Sequence, residues 1–291
     1  MCKILGVSTS GYYAWRTRPP SRRAEADRVL QRRIETIHAE SRRVYGSPKI
    51  HKQLRREGFN CSRKRVIRLM HQANLRAKRQ RCFKRTTRRN PAHVAAPNQL
   101  KQNFVASRPN QVWLADITYV GTAEGWLYLA TVMDLFSRRI VGWAMDARMT
   151  DSLSQQALTM ALERRTVRPQ QLLHHSDRGS QYTSGDYQRL LTQHQIHVSM
   201  SGVGNCYDNA PMESFFSLLK TELVHHERYA TRQAAKTSIF DYIEVFYNRR
   251  RIHSALGYLT PLAYEERWRH GFSLKEEVDQ VSLSSNVLAM T

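Results

Sequence analysis

The sequence lacks the features that mark several common protein classes. Its four cysteines (Cys2, Cys61, Cys82 and Cys206) form no CxxC pair, and no apolar run is long enough to cross a membrane. No secretory leader with an apolar core is visible. These absences argue against a disulfide-stapled scaffold and a membrane protein. They predict a cytosolic protein whose thiols stay reduced.

Acidic residues are scarce in the first third of the chain. Residues 1–100 contain 5 Asp and Glu against 26 Lys and Arg, whereas residues 101–291 contain 19 against 20. The 291 residues carry a formal net charge of +22, and a hydrophobic content of 41% is enough for a buried core. This uneven charge predicts a basic N-terminal module that contacts a polyanion, nucleic acid first, joined to a nearly neutral body.

The basic region over residues 1–75 has helical periodicity. Apolar residues recur at helical spacing from Arg22 to Glu40, and two shorter helices are predicted on either side of GFNC, with Pro48 in the first turn of one and Ser62 capping the other. The apolar residues expected to face inward on the last helix are Val66, Ile67, Leu69 and Met70. This pattern predicts a helix-turn-helix-like module.

Basic residues cluster near the start of the last of these helices. The candidate DNA contacts are Arg63, Lys64, Arg65 and Arg68. The alternative is a solvated basic face on a small helical bundle. The uneven charge of the chain favours DNA contact.

Residues 76–105 lose periodicity and concentrate Arg and Lys, which predicts a basic linker. From Asn110 the period becomes two, with Trp113 and Asp116 on opposite faces of a first strand. Two further strands follow after short connections, and helices then alternate with strands. We therefore predict an α/β core with a mixed sheet over residues 106–265 and a C-terminal tail over residues 266–291.

Three carboxylates lie in unlike settings within this core. Asp116 is in the middle of the first strand, Asp177 follows the end of the fourth, and Glu213 is near the start of a helix. Mg²⁺ prefers a few hard carboxylate oxygens, leaving positions for water and substrate phosphate. Such a site performs phosphoryl transfer on nucleic acid. The three residues are thus candidate metal ligands and catalytic groups.

Each carboxylate also has a purely structural alternative. Asp116 could lie on a solvated strand face, although Asp is disfavoured inside strands. Asp177 could form an Asx turn before Arg178, and Glu213 could favour a helix N-terminus electrostatically. Lys220, two turns after Glu213 on the same face, is either a ligand for a DNA phosphate or a solvated helix lysine.

Several ordered motifs extend this interpretation to a family resemblance. They are WxxDxTYV, DLFSRRIVGW, HSDRGSQYTS, DNAPMESFFSLLKTEL and YNRRRIHSALGYLTP, preceded by LGVSTSGYYAW and VYGSPKIHKQL. From Leu5 to about Trp268 the chain resembles the integrase-type DDE transposases of bacterial insertion sequences. The match is to the second-frame (OrfB) product of insertion-sequence family three.

The resemblance implies an RNase H-like core in which Asp116, Asp177 and Glu213 are the catalytic, metal-binding triad. It implies two Mg²⁺ ions, which Mn²⁺ can replace, and DNA as substrate, both the element's ends and the target. Cleavage would expose 3′-hydroxyls that then attack phosphodiesters, with no covalent enzyme intermediate. Asn209 and Lys220 fall on positions that would help place DNA. A homo-oligomer on DNA, in a bacterial cytoplasm at the nucleoid, is also implied.

The resemblance also raises expectations about other segments. Retroviral integrases share the core motif but add a His/His/Cys/Cys zinc module. Here His38, His51, Cys61 and Cys82 are separated by 12, 9 and 20 residues, which favours ordinary structural residues over zinc. The sequence opens at MCKILGVSTSG without the segment that such elements encode in their first frame. We therefore expect the first-frame (OrfA) product as a partner, in some cases joined to this chain by a frameshift fusion.

Two other functions remain open at this point. One is an RNase H-like nuclease that cuts DNA without joining it. The other is a DNA-binding regulator of the element that is inactive without the upstream-frame product.

Overall fold

The computed structural model describes residues 2–78, 98–100, 103–202 and 206–271, without the side chains of residues 206 and 207. These residues form two compact units that divide between residues 78 and 79. Most of the predicted linker, and the predicted tail from residue 272 onward, lie outside the described residues. The domain limits therefore stay predictions.

The regular elements of the N-terminal unit, over its described residues 2–78, are helices. They are α1 (Thr9–Thr17), α2 (Arg22–Glu40), α3 (Ser47–Arg56) and α4 (Arg63–Gln72). The small core between α2, α3 and α4 contains Leu30, Ile34, Ile37, Ile50, Leu54, Val66, Leu69 and Met70. Pro48 lies in the first turn of α3, and the Ser62 hydroxyl caps α4 by accepting from Arg65 N at 3.2 Å. The helix-turn-helix-like pair that the sequence predicts is therefore present.

One expected core residue of α4 lies elsewhere. Ile67 is 36% exposed, whereas Val66, Leu69 and Met70 are buried as predicted. The buried positions follow i, i+3, i+4 spacing, so residue 67 falls on the flank of the buried stripe.

The C-terminal unit contains one five-stranded sheet. Its strands are β1 (Val112–Thr122), β2 (Gly125–Asp134), β3 (Ile140–Asp146), β4 (Leu173–Ser176) and β5 (His197–Met200). They lie in the order β3-β2-β1-β4-β5. The first three pair antiparallel, and β4 and β5 run parallel to β1. The predicted meander followed by a mixed sheet is confirmed.

Helices cover the sheet and complete its core. In chain order they are α5 (Asp151–Arg164), α6 (Ser180–Thr183), α7 (Gly185–Gln193), α8 (Ala210–Glu222), α9 (Arg232–Phe240) and α10 (Pro261–Arg269). Trp113, Ala115 and the α5 and α7 residues Leu158 and Leu191 form one buried cluster. Gly142 allows α5 to approach β3, since a Cβ there would lie 2.1 Å from the carbonyl oxygen of Ala157.

The helix predicted from Arg232 to Tyr247 is not uniform. It is α9 followed by a π-helical segment, Asp241–Tyr247. Directly after it, the Asn248 amide exchanges two 3.0 Å hydrogen bonds with the backbone N–H and C=O of Ile140. This tertiary anchor has no counterpart in the periodicity, which is why the sequence predicted one regular helix.

No described helix of either unit is both long and apolar enough to span a membrane.

Candidate active site

The strand register places two of the predicted carboxylates side by side. Ala115 of β1 pairs with Ser176 of β4 in the parallel ladder. Asp116 and Asp177 are the next residues on their chains. Because neighbouring strands lie about 4.8 Å apart, both side chains leave the backbone at the same point of the sheet. β4 ends at Ser176, so the pairing of β1 with β4 stops directly before the two carboxylates.

The third carboxylate reaches this point through helix α8. Glu213 lies in the first turn of α8, which packs against β1. Asn209, the residue that precedes the helix, donates its amide N–H to the carbonyl oxygen of Ala115 at 3.2 Å. The start of α8 is thus fastened to the residue before Asp116. Asp177 and Glu213 are exposed, while Asp116 is half-buried.

The environment of Asp116 opposes its negative charge. Burial, above all, raises the pKa of Asp116 to about 8, and the charges of Asp177 and Glu213 raise it further. The hydrogen bond from Ile117 N at 2.7 Å and the charge of Lys220 act in the opposite direction. A solvated strand face would not have this effect. Asp116 is therefore a carboxyl group that a nearby cation would stabilise in its ionised form.

Unlike that of Asp116, the structural alternatives for the other two carboxylates are present in the structure. Asp177 Oδ1 accepts a hydrogen bond from Gly179 N at 2.9 Å, which is an Asx turn. Glu213 occupies the helix position where a negative charge is favoured. These local roles orient the side chains and are compatible with a role in catalysis.

The donor set fits a hard divalent cation. Three carboxylates without cysteine or histidine are typical of Mg²⁺ or Mn²⁺ rather than zinc. Within the described part of the chain, no three His, Cys, Asp or Glu side chains are gathered at metal-binding distance. The triad residues thus influence one another electrostatically without forming a closed ligand cluster.

The two remaining candidates near the site have different settings. Lys220 is half-buried, and its Nζ lies 5.2 Å from the centre of the Tyr119 ring. Burial lowers the pKa of Lys220, and the charge of Asp116 counteracts this. Lys220 therefore belongs to the surroundings of Asp116 rather than to a solvated helix face. Asn209 is only 5% exposed, and its amide is used to hold β1.

The candidate DNA contacts of the N-terminal unit divide into two pairs. Arg63 and Lys64 are exposed at the start of α4. Arg65 and Arg68 each form a 2.6 Å salt bridge with Asp27 of α2. The second pair therefore helps to hold α4 on α2, a role that the sequence pattern did not reveal.

Sequence reasoning missed the residues that support the loop between β5 and α8. The buried Asp208 carboxylate accepts from Gly202 N at 2.7 Å and from Asn98 Nδ2 at 2.8 Å. Arg178, next to Asp177, donates from Nε to the carbonyl oxygen of Ser201 at 2.7 Å. The bond from Asn98 to Asp208 joins residues that are 110 positions apart, so no local signal could identify this role.

Comparison with known proteins agrees with this architecture. Two family models described as "Integrase core domain" match residues 106–206 and 213–268, and one described as "HTH-like domain" matches residues 24–83. The fold and the site thus define an integrase-type DDE recombinase with an RNase H-like core. The chain is 47% identical over 269 residues to the insertion element IS600 uncharacterized 31 kDa protein of Shigella sonnei, covering 92% of this chain and 98% of that protein. It is 44% identical over 273 residues to the transposase InsF for insertion sequence IS3A of Escherichia coli strain K12, covering 92% and 93%.

The chain belongs to the IS3 family of insertion-sequence transposases. Among solved structures it is similar to the HTLV-2 integrase catalytic core domain in complex with magnesium, with a TM-score of 0.42 and 17% identity over 55% of this chain and 99% of that one. The family predicted from the ordered motifs is confirmed. The protein is a transposase that acts in DNA integration, so the nuclease that only cuts is set aside.

Proposed function

We propose that this transposase carries out phosphoryl transfer with Asp116, Asp177 and Glu213. The observation that supports this most directly is the register of β1 and β4. It puts Asp116 and Asp177 side by side after the Ala115–Ser176 pair, where the charge of Glu213 also acts on Asp116. The ionised form of Asp116, which burial and the charges of Asp177 and Glu213 oppose, would be stabilised by a cation that the three groups share.

The three carboxylates would hold Mg²⁺, two ions in the working complex, with Mn²⁺ as a substitute. Bound there, the metal would act as a Lewis acid on the attacking and leaving oxygens of an in-line displacement. Asp177 and Glu213 are exposed and would face incoming DNA, whereas Asp116 is half-buried and would form the base of the site. Hard-oxygen donors of this kind leave positions for water and phosphate.

The chemistry would proceed in two phosphoryl transfers. In the first, water attacks a phosphodiester at an end of the element, the bond to the 3′-oxygen breaks, and a 3′-hydroxyl is exposed. In the second, that hydroxyl attacks a phosphodiester of the target DNA and displaces its 3′-oxygen. Each step forms one P–O bond and breaks another, so no covalent bond to the enzyme is needed. Lys220 would bind a DNA phosphate beside the site, and Asn209 would position Asp116 by holding β1.

Recognition of DNA would involve the N-terminal unit as well. The exposed basic pair Arg63 and Lys64 on α4 supports this part of the proposal. On the family resemblance we extend it to a homo-oligomer assembled on DNA, in the bacterial cytoplasm at the nucleoid. The first-frame (OrfA) product, in some cases as a frameshift fusion, would be a partner.

The triad can be tested by conservative substitution. Asp116→Asn, Asp177→Asn and Glu213→Gln should each abolish cleavage and strand transfer on end-bearing oligonucleotides in Mg²⁺, while DNA binding persists. Glu163→Gln, a change at an exposed glutamate of α5, is the matched control and should leave activity unchanged. A triad variant with near-normal strand transfer would remove that residue from the site. If the wild-type chain binds DNA but joins none, alone or with its upstream-frame partner, the regulator becomes the better interpretation.

A further inference from the structure

Two aromatic rings are exposed at the tip of the β1–β2 hairpin. Tyr119 is 54% exposed and Trp126 is 53% exposed, although both lie in regular strands. Their ring centres are 4.9 Å apart, with the planes at 77°. Two exposed rings in contact form a candidate surface for stacking a planar ligand. We call these two residues the hairpin platform.

The hairpin platform is held rigidly. Gly121 pairs with Trp126 across the strands, and the indole ring packs over the Gly121 backbone. A Cβ on Gly121 would lie 3.5 Å from the ring. Arg232 of α9 donates from Nε to the carbonyl oxygen of Trp126 at 3.0 Å and from a terminal nitrogen to that of Glu124 at 2.6 Å. The rings are therefore presented by a strand tip that is fastened to a helix, rather than by a loose loop.

Positive charge lies next to the hairpin platform. The Nζ of Lys220 is 5.2 Å from the centre of the Tyr119 ring. Lys220 lies on α8, the helix that also carries Glu213, so α8 connects the platform with the candidate active site. Tyr119 is three positions after Asp116 on β1, which is about 10 Å along an extended strand, and the odd separation places the two side chains on opposite faces of the strand. A nucleotide has matching parts, a flat base for the rings and a phosphate for the lysine.

We propose that the hairpin platform stacks an unpaired base of the DNA strand whose phosphate lies at the active site. An unpaired base is the form of substrate that exposes a face for stacking, whereas a base inside a duplex is covered on both faces. The inference rests on the proposed function because it takes DNA at the triad as its starting point. The competing explanations are a cross-strand pair that only stabilises the hairpin and a surface for a protein partner.

The test uses the full chain in EDTA, so that binding is measured without reaction. The probes are a blunt duplex and the same duplex with a three-nucleotide single-stranded overhang that carries 2-aminopurine, whose fluorescence is quenched by stacking. Wild-type protein should quench the probe and bind the overhang duplex more tightly than the blunt one. Trp126→Ala and Tyr119→Ala should remove the quenching and lower affinity for the overhang duplex by roughly fivefold to 100-fold, the range for one stacked base.

Two controls separate stacking from damage to the fold. Trp126→Phe keeps an aromatic face and should retain most of the preference. Trp268→Ala removes a tryptophan that is 40% exposed on α10 and should bind like wild type. Thermal unfolding of each variant shows whether the hairpin still forms. Equal losses for both duplexes, or unchanged quenching in Trp126→Ala, would overturn the proposal in favour of a structural pair.

Further measurements distinguish this inference from the proposed function. If Trp126→Ala abolished self-association in sedimentation while DNA preference stayed intact, the platform would be a protein interface and the proposal would be wrong. The strand-transfer assay on Glu213→Gln reports separately on the triad. Loss of transfer there together with normal overhang binding in Trp126→Ala would refute the platform alone. Retained transfer in Glu213→Gln would refute the proposed function instead.

Discussion

Asn209 donates a hydrogen bond across 3.2 Å to the carbonyl oxygen of Ala115, the residue that precedes Asp116. This bond connects the start of the helix that carries Glu213 with the strand that carries Asp116. Only the amide N–H side of Asn209 is used in this way, and its buried Oδ1 has no hydrogen-bond partner among the described residues. The relationship suggests a positioning role rather than direct contact with DNA.

Asn209→Ala should therefore lower strand transfer by about 10- to 100-fold, because small displacements of catalytic groups have effects of this size. Binding of duplex DNA should stay within about twofold of wild type, since a buried side chain offers no surface to DNA. The measurement is single-turnover strand transfer together with fluorescence anisotropy on the same oligonucleotides. Asn98→Ala removes a partly buried bond to Asp208 in the loop before α8, and it shows how much the loss of a neighbouring structural bond lowers strand transfer by itself. A variant that loses affinity but keeps its single-turnover rate would restore Asn209 as a DNA contact.

Substitutions in the two basic pairs on α4 should have different effects, one on DNA affinity and the other on the free energy of unfolding. The double variant Arg63→Gln and Lys64→Gln should weaken DNA binding and reduce the log–log salt slope by about 0.9 for each phosphate that the protein no longer neutralises. Its unfolding free energy should change by less than about 0.5 kcal/mol, as at other surface positions. Salt-dependent anisotropy and urea unfolding measure the two quantities.

The companion double variant, Arg65→Gln and Arg68→Gln, breaks both salt bridges to Asp27. These partly exposed pairs hold α4 on α2, so unfolding free energy should fall, by up to about 1 kcal/mol for each pair. An unchanged salt slope in the first variant would return Arg63 and Lys64 to a solvated face. Unchanged stability in the second would show that the Asp27 bridges are not structural.

Asp134 should make stability depend on pH. It is completely buried at the end of β2, where it accepts from Asn110 N at 2.7 Å and Phe136 N at 2.9 Å. Burial, assisted by the charge of Glu265 and opposed by the bond from Asn110, raises the pKa of Asp134 from 3.8 to about 6. The native state therefore binds more protons than the unfolded state between these values. Stability from this group is complete below pH 4 and is lost as pH rises through about 6.

Urea unfolding of wild type and Asp134→Asn from pH 4 to 7 measures this contribution. The amide cannot titrate, and it also loses one acceptor, so wild type should be the more stable protein at pH 4. Its advantage should shrink by roughly 3 kcal/mol by pH 7. Asp186→Asn, at an exposed position on α7, should give a curve parallel to wild type. Parallel curves for Asp134→Asn would show that the buried carboxyl has an ordinary pKa.

The far end of α8 depends on a buried ion pair. Arg251 donates to Glu222 from Nε at 2.8 Å and from a terminal nitrogen at 2.6 Å, and Tyr242 donates its hydroxyl to the same carboxylate at 2.8 Å. Both charged side chains are at most 7% exposed. Arg251→Met should lower unfolding free energy by about 3–5 kcal/mol, because it leaves the Glu222 carboxylate buried without its cationic partner.

Adding Glu222→Leu to Arg251→Met removes the buried carboxylate that has lost its cationic partner, and it should recover much of the stability. A double-mutant cycle by urea unfolding gives the coupling. Additive losses would mean that the two residues act independently. Leu219→Ala on the same helix, a deletion of buried apolar surface, is a reference for simple core damage.

Much of the fold could be predicted because its signals are local. Alternation along β1, the short connections of the meander and the apolar stripes of α2 and α4 depend only on the period of each element. In the structure Trp113 is buried and Asp116 lies on the opposite face, as predicted. The π-helical segment after α9 was missed because its anchor, the contact between Asn248 and Ile140, joins residues that are 108 positions apart.

The candidate site also contains residues that could be predicted from the sequence and residues that could not. Asp116 could be selected from residue type and setting, because Asp is unusual inside a strand. Asp177 and Glu213 could be selected with it because they lie in the motifs that resemble a known family. The support residues could not be selected. Asp208 and Arg178 are ordinary polar residues until the loop brings Gly202, Asn98 and Ser201 to them.

The sequence by itself determined the two-part distribution of charge, indicated the class of protein through motifs that resemble a known family, and selected the three carboxylates as candidates. Charge, motifs and periodicity are read along short stretches of chain, so these conclusions need no knowledge of tertiary contacts. Tertiary structure alone decided that Asp116 and Asp177 share one edge of the β1–β4 ladder, that Asn209 is a buried anchor and that Arg65 and Arg68 are held by Asp27. It also decided that Tyr119 and Trp126 remain uncovered. Strand register and burial depend on contacts between segments that are distant in sequence, and local sequence patterns do not specify those contacts.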